Sequence, residues 1–163
     1  MEHFYKSIDG WWGTTPDLEI YRLAVDQAGW CGEEAHFVEV GSWAGRSACM
    51  MAVNIINSGK RIKLDCVDTW EGSEDGAEHK EMDVIKEGRL YDLFLKNIEP
   101  VAHLINPVRM PSVEAAEQYE DSSLDFVFVD GDHTYESVSA DIRAWYPKLK
   151  PRAMFAGHDF SNP

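Results

Sequence analysis

Apolar positions recur along the chain in two rhythms that take turns. Short runs that are apolar without strict alternation, and rich in β-branched or aromatic residues, fall at His36 to Val40, Ile62 to Val67 and Leu124 to Val129. Such runs mark strands covered on both faces. Weaker runs of the same kind lie at His103 to Val108 and Ala153 to Ala156. Between them the apolar spacing becomes helical: Asp17 to Ala28, Arg46 to Ile56, Met82 to Ile98, Val113 to Tyr119 and Tyr135 to Tyr146. Strand and helix therefore alternate, with connections long enough for crossovers. This predicts an α/β fold, a Rossmann-like doubly wound parallel sheet of about five strands with its ligand at the carboxyl ends of the strands.

The 163 residues suffice for one core, and no repeat or low-complexity tract divides them. The expected organisation is a single domain, with an N-terminal helical cap over residues 1–34 and the sheet over 35–163. Composition narrows the partners. A formal charge of −14, from 29 acidic against 15 basic residues, would repel a nucleic-acid backbone and an anionic membrane surface. No apolar run approaches the ~20 residues that span a bilayer, and the start Met1-Glu2-His3-Phe4-Tyr5-Lys6 has no secretory pattern. A cytoplasmic location is expected. Cys31, Cys49 and Cys66 are too few and too scattered for a disulfide framework and read as reduced thiols.

The first strand runs straight into a glycine turn and a helix start, Phe37-Val38-Glu39-Val40-Gly41-Ser42-Trp43-Ala44-Gly45-Arg46-Ser47. Gly41 permits a sharp turn and a close ligand approach, and Gly45 lets the helix pack near the strand. The spacing is neither that of a dinucleotide fingerprint nor that of a P-loop, which disfavours a pyrophosphate ligand. Glu39 would repel phosphate but suits an ammonium or sulfonium group. A second acid, Asp68, ends the next strand about 27 residues after Gly41, near the spacing at which α/β nucleoside sites place a carboxylate on ribose. Trp70 is then expected beside a base. The alternative reading of each is local: a tight turn for the glycines, a cap for Asp68.

The buried run Asp125 to Val129 ends in Asp130-Gly131-Asp132-His133, and the last strand delivers His158-Asp159 beside it. Oxygen and imidazole groups gathered at one mouth suit a divalent ion such as Mg²⁺, Mn²⁺ or Zn²⁺, or a general base for a hydroxyl proton. The plainer reading makes Asp132 a cap of the following helix and His158 a satisfied interior histidine. His3, His36, His79 and His103 have no such company and receive no role.

Together these residues resemble class I S-adenosylmethionine-dependent methyltransferases, in the branch near the macrocin-type sugar O-methyltransferases and, more distantly, catechol O-methyltransferase. The resemblance runs from Ile8-Asp9-Gly10-Trp11-Trp12 through Glu39 to Ser47, Val67 to Gly72 and Ser112 to Ala116, ending with Val129 to Asp159. Its most specific part is Val129 to Val138, continuing to Asp141-Ile142 and Trp145. It implies a cofactor, S-adenosylmethionine, held by Glu39, Gly41, Ser42, Gly45, Asp68, Thr69, Trp70, Ser112 and Asp130, with Ser112 by the adenine. It implies a divalent ion such as Mg²⁺ on Asp130 and Asp159, which the residue reading extends to His158, and Asp132 or His133 as the base. The implied activity is metal-assisted O-methylation of a small hydroxylated acceptor such as a sugar. Tyr5 and the Trp11-Trp12 pair are candidates for an aromatic lid, with core packing as the alternative for one of the two tryptophans.

Two departures accompany the resemblance. The family usually has Lys-Pro-Gly-Gly before the fifth strand, where this chain reads Lys150-Pro151-Arg152-Ala153. The sequence ends at Pro163, so the C-terminal antiparallel strand pair is expected to be missing, and an open sheet edge favours a homo-oligomer. The alternative function is a catalytically impaired cofactor-binding or scaffold protein on the same fold. A dehydrogenase is disfavoured by the glycine spacing.

Overall fold

A computed structural model describes residues 1–10, 15–29, 34–72 and 82–158. Trp11, Trp12, Cys31, His79 and Asp159 lie outside the described residues. Five parallel strands form one sheet in the order β3-β2-β1-β4-β5, with β1 Ala35–Val40, β2 Ile62–Asp68, β3 Ile105–Arg109, β4 Leu124–Val129 and β5 Leu149–Gly157. The chain winds outward from β1 to β3, then returns to β1's other side for β4. The crevice that such a reversal opens lies between the carboxyl ends of β1 and β4. Among the described residues the sheet holds no antiparallel strand, and no helix is long and apolar enough to cross a membrane.

Helices cover both faces: α1 Thr15–Gln27, α2 Arg46–Ser58, α3 Asp83–Lys86, α4 Leu90–Ile98, α5 Ser112–Ala116 and α6 Tyr135–Trp145. Alternation along β1 divides the core in two. Phe37 joins Tyr21, Met50, Phe94, Phe126 and Phe128 under α1, α2 and α4. Val38 and Val40 join Val127, Val129, Ala115 and Trp145 under α5 and α6. Tyr5, expected as part of a lid, is a core residue instead, buried in the first cluster.

Three boundaries depart from the sequence pattern. The helix expected over Met82 to Ile98 breaks, because Gly88 takes a left-handed φ of 64° and closes α3 before α4 begins. The helix expected over Val113 to Tyr119 is the single turn Ser112–Ala116. β5 is longer than Ala153 to Ala156 because it pairs with β4 on both sides of a bulge. Leu124 faces Leu149 but Phe126 faces Met154, and Pro151 and Arg152 sit in the extra length, Arg152 at φ 71°.

Candidate cofactor and active site

The turn after β1 is shaped by what already surrounds it. Gly41 has a φ of 87°, and a Cβ there would stand 2.0 Å from the Asp130 carbonyl oxygen. The glycine expected to admit a ligand thus also admits the neighbouring strand's backbone, whose Asp130 N–H donates to Val40. At Gly45, φ 85°, a Cβ would press within 3.0 Å of Phe94 and 3.1 Å of Ile98 on α4. The absent side chain at Gly45 thus also makes room for a second helix, α4.

Glu39 points into the layer beneath this turn and is 2% exposed. Tyr21 Oη donates to one of its oxygens and Ser47 Oγ to the other, each at 2.8 Å. Burial pushes its carboxyl up to about 7; the Tyr21 and Ser47 hydroxyls oppose the shift, and the field of Asp130 adds to it. The hydroxyl of Ser42, also buried, has no hydrogen-bond partner among the described residues. It lies close enough to Glu39 to join Tyr21 and Ser47 in opposing the upward shift.

Asp68 is held at the next strand end by the loops it joins. Its Oδ2 accepts from Trp43 N–H at 2.8 Å and its Oδ1 from Trp70 N–H at 2.7 Å. Burial raises its pKa, against these backbone donors. Each carboxylate oxygen retains acceptor capacity beyond one bond, so this clamp is compatible with further donors. Trp70 is 1% exposed, packs on Tyr91 and Phe94 with ring centroids 4.7 and 4.6 Å away, and donates its indole N–H to Trp43's carbonyl. Its ring is the floor of the loop, not a face open to an adenine. Thr69 lies at the rim, its carbonyl accepting from Arg109. Ser112, at the head of α5, donates to Asp141 at 2.6 Å and accepts from the Trp145 indole at 2.9 Å.

Beyond β4, one oxygen of Asp130 lies 3.6 Å from His133 Nε2 and 3.6 Å from His158 Nδ1. The expected meeting of β4 and β5 residues is present, since His158 N–H also donates to the Val129 carbonyl. Asp132 Oδ1 accepts from Thr134 N–H at 2.8 Å, and Thr134 itself caps α6 by accepting from Ser137 N–H. The capping role foreseen for Asp132 is thus shared out, Asp132 bracing the cap residue. The His133 side chain is 42% exposed, so it is the member of the cluster most open to a reactant. Among the described residues no group of three His, Cys, Asp or Glu side chains could hold a metal ion. Asp130 and His158 bring two potential donors together.

Several partners were not visible in the sequence. Tyr21 and Ser47 read as helix residues, and nothing in their spacing marks them as donors to Glu39. Asp141 is 5% exposed, the one charged side chain on α6 turned inward. His36, given no role, pairs with Asp65 at 2.8 Å across β1 and β2. A cavity of about 120 Å³ bordered by Ala24, Gln27, Asp125 and Lys150 opens at the opposite, amino ends of β4 and β5, where Asp125 and Lys150 already pair.

The fold recurs among solved structures. The O-methyltransferase NovP superposes with a TM-score of 0.68 at 19% identity, over 89% of this chain and 65% of that one. Geranyl diphosphate methyltransferase in complex with GPP and sinefungin gives 0.54 at 10% identity, over 84% and 43%. The [4+2]-cyclase SpnF gives 0.52 at 14%, over 85% and 43%, so the fold by itself does not name a reaction. A curated protein of Sinorhizobium fredii (strain NBRC 101917 / NGR234), y4gI, is 30% identical over 122 residues, which are 75% of this chain and 13% of that protein. The chain therefore spans a small part of that relative and about two thirds of NovP. A family profile described as "Methyltransferase domain" matches residues 38–160, from within β1 to just past His158, and on that match the chain belongs to the methyltransferase-domain family.

Proposed function

We propose that this domain binds S-adenosylmethionine at the carboxyl ends of β1, β2 and β4 and methylates a hydroxyl of a small acceptor such as a sugar. The observation that carries the reading is the acidic cradle beneath the glycine turn. Glu39 and Asp68 end adjacent strands, and Glu39 is held by hydroxyls rather than by a cation. A buried carboxyl without a counter-charge repels phosphate and favours a cationic ligand. Gly41, Ser42 and Gly45 would line the methionine and ribose side, Asp68 and Thr69 the ribose hydroxyls, Ser112 the purine side, and Trp70 would support the loop from below.

When bound, the cofactor would supply an electrophilic methyl on a sulfonium for transfer to the acceptor oxygen, leaving as the neutral thioether. The chain's task is to align acceptor, methyl and sulfur and to exclude water. His133 is the stronger candidate for the base that takes the hydroxyl proton, at Nδ1, since Nε2 is the ring nitrogen that faces Asp130. Asp130 stands where it can orient the ring, whereas Asp132 is already engaged with Thr134. A divalent ion on Asp130, His158 and Asp159 would lower the pKa of the acceptor hydroxyl.

Calorimetry with S-adenosylmethionine, S-adenosylhomocysteine and NAD tests the cofactor. We expect binding of the first two, and binding of NAD alone would overturn the reading. Titration with Mg²⁺ or Mn²⁺ tests the metal separately. His133→Gln is expected to lower kcat by about 10²–10⁴ while leaving S-adenosylhomocysteine affinity within a few-fold; an undiminished kcat removes His133 as the base.

A further inference from the structure

Asp141 is a buried carboxyl that the reaction does not use. It projects from the inner side of α6 and is 5% exposed. One of its oxygens accepts from Ser112 Oγ at 2.6 Å, and that hydroxyl is fixed from its other side by the Trp145 indole N–H at 2.9 Å. The other oxygen lies under the turn after β4, 3.8 Å from where a Cβ on Gly131 would be. The same carboxyl therefore ties the head of α5, which follows β3, to α6, the helix that follows the Asp130-Gly131-Asp132 turn after β4. Those two segments flank the crevice on its α5–α6 side.

The arrangement costs folding free energy. Burial raises the Asp141 pKa, the Ser112 hydrogen bond opposes this, and the field of Asp132 raises it further. An apolar side chain of similar size would avoid that cost. Local inconsistencies of this kind concentrate where a site must be held in shape.

We propose that Asp141 is a positioning residue that holds Ser112, at the head of α5, against α6, the helix that follows the Asp130-Gly131-Asp132 turn, so that the purine side of the cofactor crevice is preformed. The proposal rests on the cofactor reading above. It acts through Ser112: without the carboxyl, the Ser112 hydroxyl keeps only the Trp145 donor and is free to rotate, and the head of α5 loses this side-chain tie to α6.

The test is S-adenosylhomocysteine affinity, measured by calorimetry on the folded protein alongside the midpoint of thermal unfolding. Asp141→Leu removes the acceptor while keeping the volume, and is expected to weaken binding tenfold or more. Asp141→Asn keeps an acceptor oxygen and is expected to stay within threefold of wild type. Ser112→Ala is expected to weaken binding as Asp141→Leu does, and the double variant should be no weaker than either single one, because both cut the same link. A carboxyl that serves stability alone would move the unfolding midpoint and leave Kd unchanged, and that outcome overturns the proposal, as does full additivity in the double variant. Should Asp141→Leu not fold, the pair Asp141→Asn and Ser112→Ala decides by the same criterion: a Ser112→Ala Kd equal to wild type overturns it. Failure of the wild-type protein to bind would remove the cofactor reading itself, whereas equal binding by wild type and variants removes only this one.

Discussion

Glu39 sets the balance at the residue scale, since the carboxyl that fits the site for a cation also works against folding. Its folded value of about 7 stands above the ordinary 4.5 because burial penalises the charge. The folded state therefore keeps a proton that the unfolded chain releases. The stabilisation is fully present below about 4.5 and is lost as pH rises through about 7. Glu39→Gln, neutral at every pH, should remove this slope. The ligand-free variant is expected to match wild type near pH 5 and to exceed it at pH 8, by about 1–3 kcal/mol. Thermal melts across that range check it, and a variant whose curve parallels wild type would show that Glu39 is not the titrating group. The gain in stability should come with weaker S-adenosylhomocysteine binding, the usual trade at a site built against its own fold.

At the scale of an element, β5 carries its strain in one place. The bulge between Leu149 and Met154 brings Arg152 to φ 71°, where an L side chain is disfavoured by roughly 1 kcal/mol. The family's usual glycine would meet that geometry without cost. Arg152→Gly should therefore raise stability by about 0.5–1 kcal/mol, net of the greater freedom of the unfolded chain, in urea denaturation. A loss of stability would mean that the arginine side chain, and not the backbone, decides the position. The same reasoning accounts for the break at Gly88. The apolar spacing of Met82 to Ile98 runs through it, but the left-handed residue closes α3 and re-aims the chain, so that α4 can lay Phe94 against Trp70 and under Gly45.

For the whole molecule, the sheet is tied across its width by a polar network on the α5–α6 face. Asp65 on β2 accepts from His36 on β1 at 2.8 Å, from Asn106 on β3 at 3.1 Å and from Tyr119 at 2.7 Å. Burial alone would push its pKa up, but these hydrogen bonds and the field of His36 outweigh it, and the folded value is depressed. The stability so contributed is present above the ordinary value of 3.8 and lost as pH falls through the lower folded one. Acid unfolding of Asp65→Asn should accordingly be less steep below pH 4 than that of wild type, read by far-UV circular dichroism. An unchanged acid limb would show that Asp65 is not among the groups that set it.

How much of this was legible follows from range. Periodicity is a local property, and it was enough to locate all five strands, the α/β class and the parallel winding, because buried strands and amphipathic helices write their burial into consecutive residues. The chemistry at strand ends was legible for the same reason: Glu39, Asp68 and Asp130 to His133 each interrupt an apolar run. What the pattern missed depends on residues far apart in the chain. The partners of Glu39 come from α1 and α2, and Asp65 collects donors from two other strands and from Tyr119. Trp70, expected beside a base, is drawn into the core by α4. Local sequence thus determined which elements form and which end in reactive side chains. Only the packing of the two layers on the sheet decided which of those side chains face the crevice, because burial and hydrogen-bond partnership are set by distant segments meeting in space.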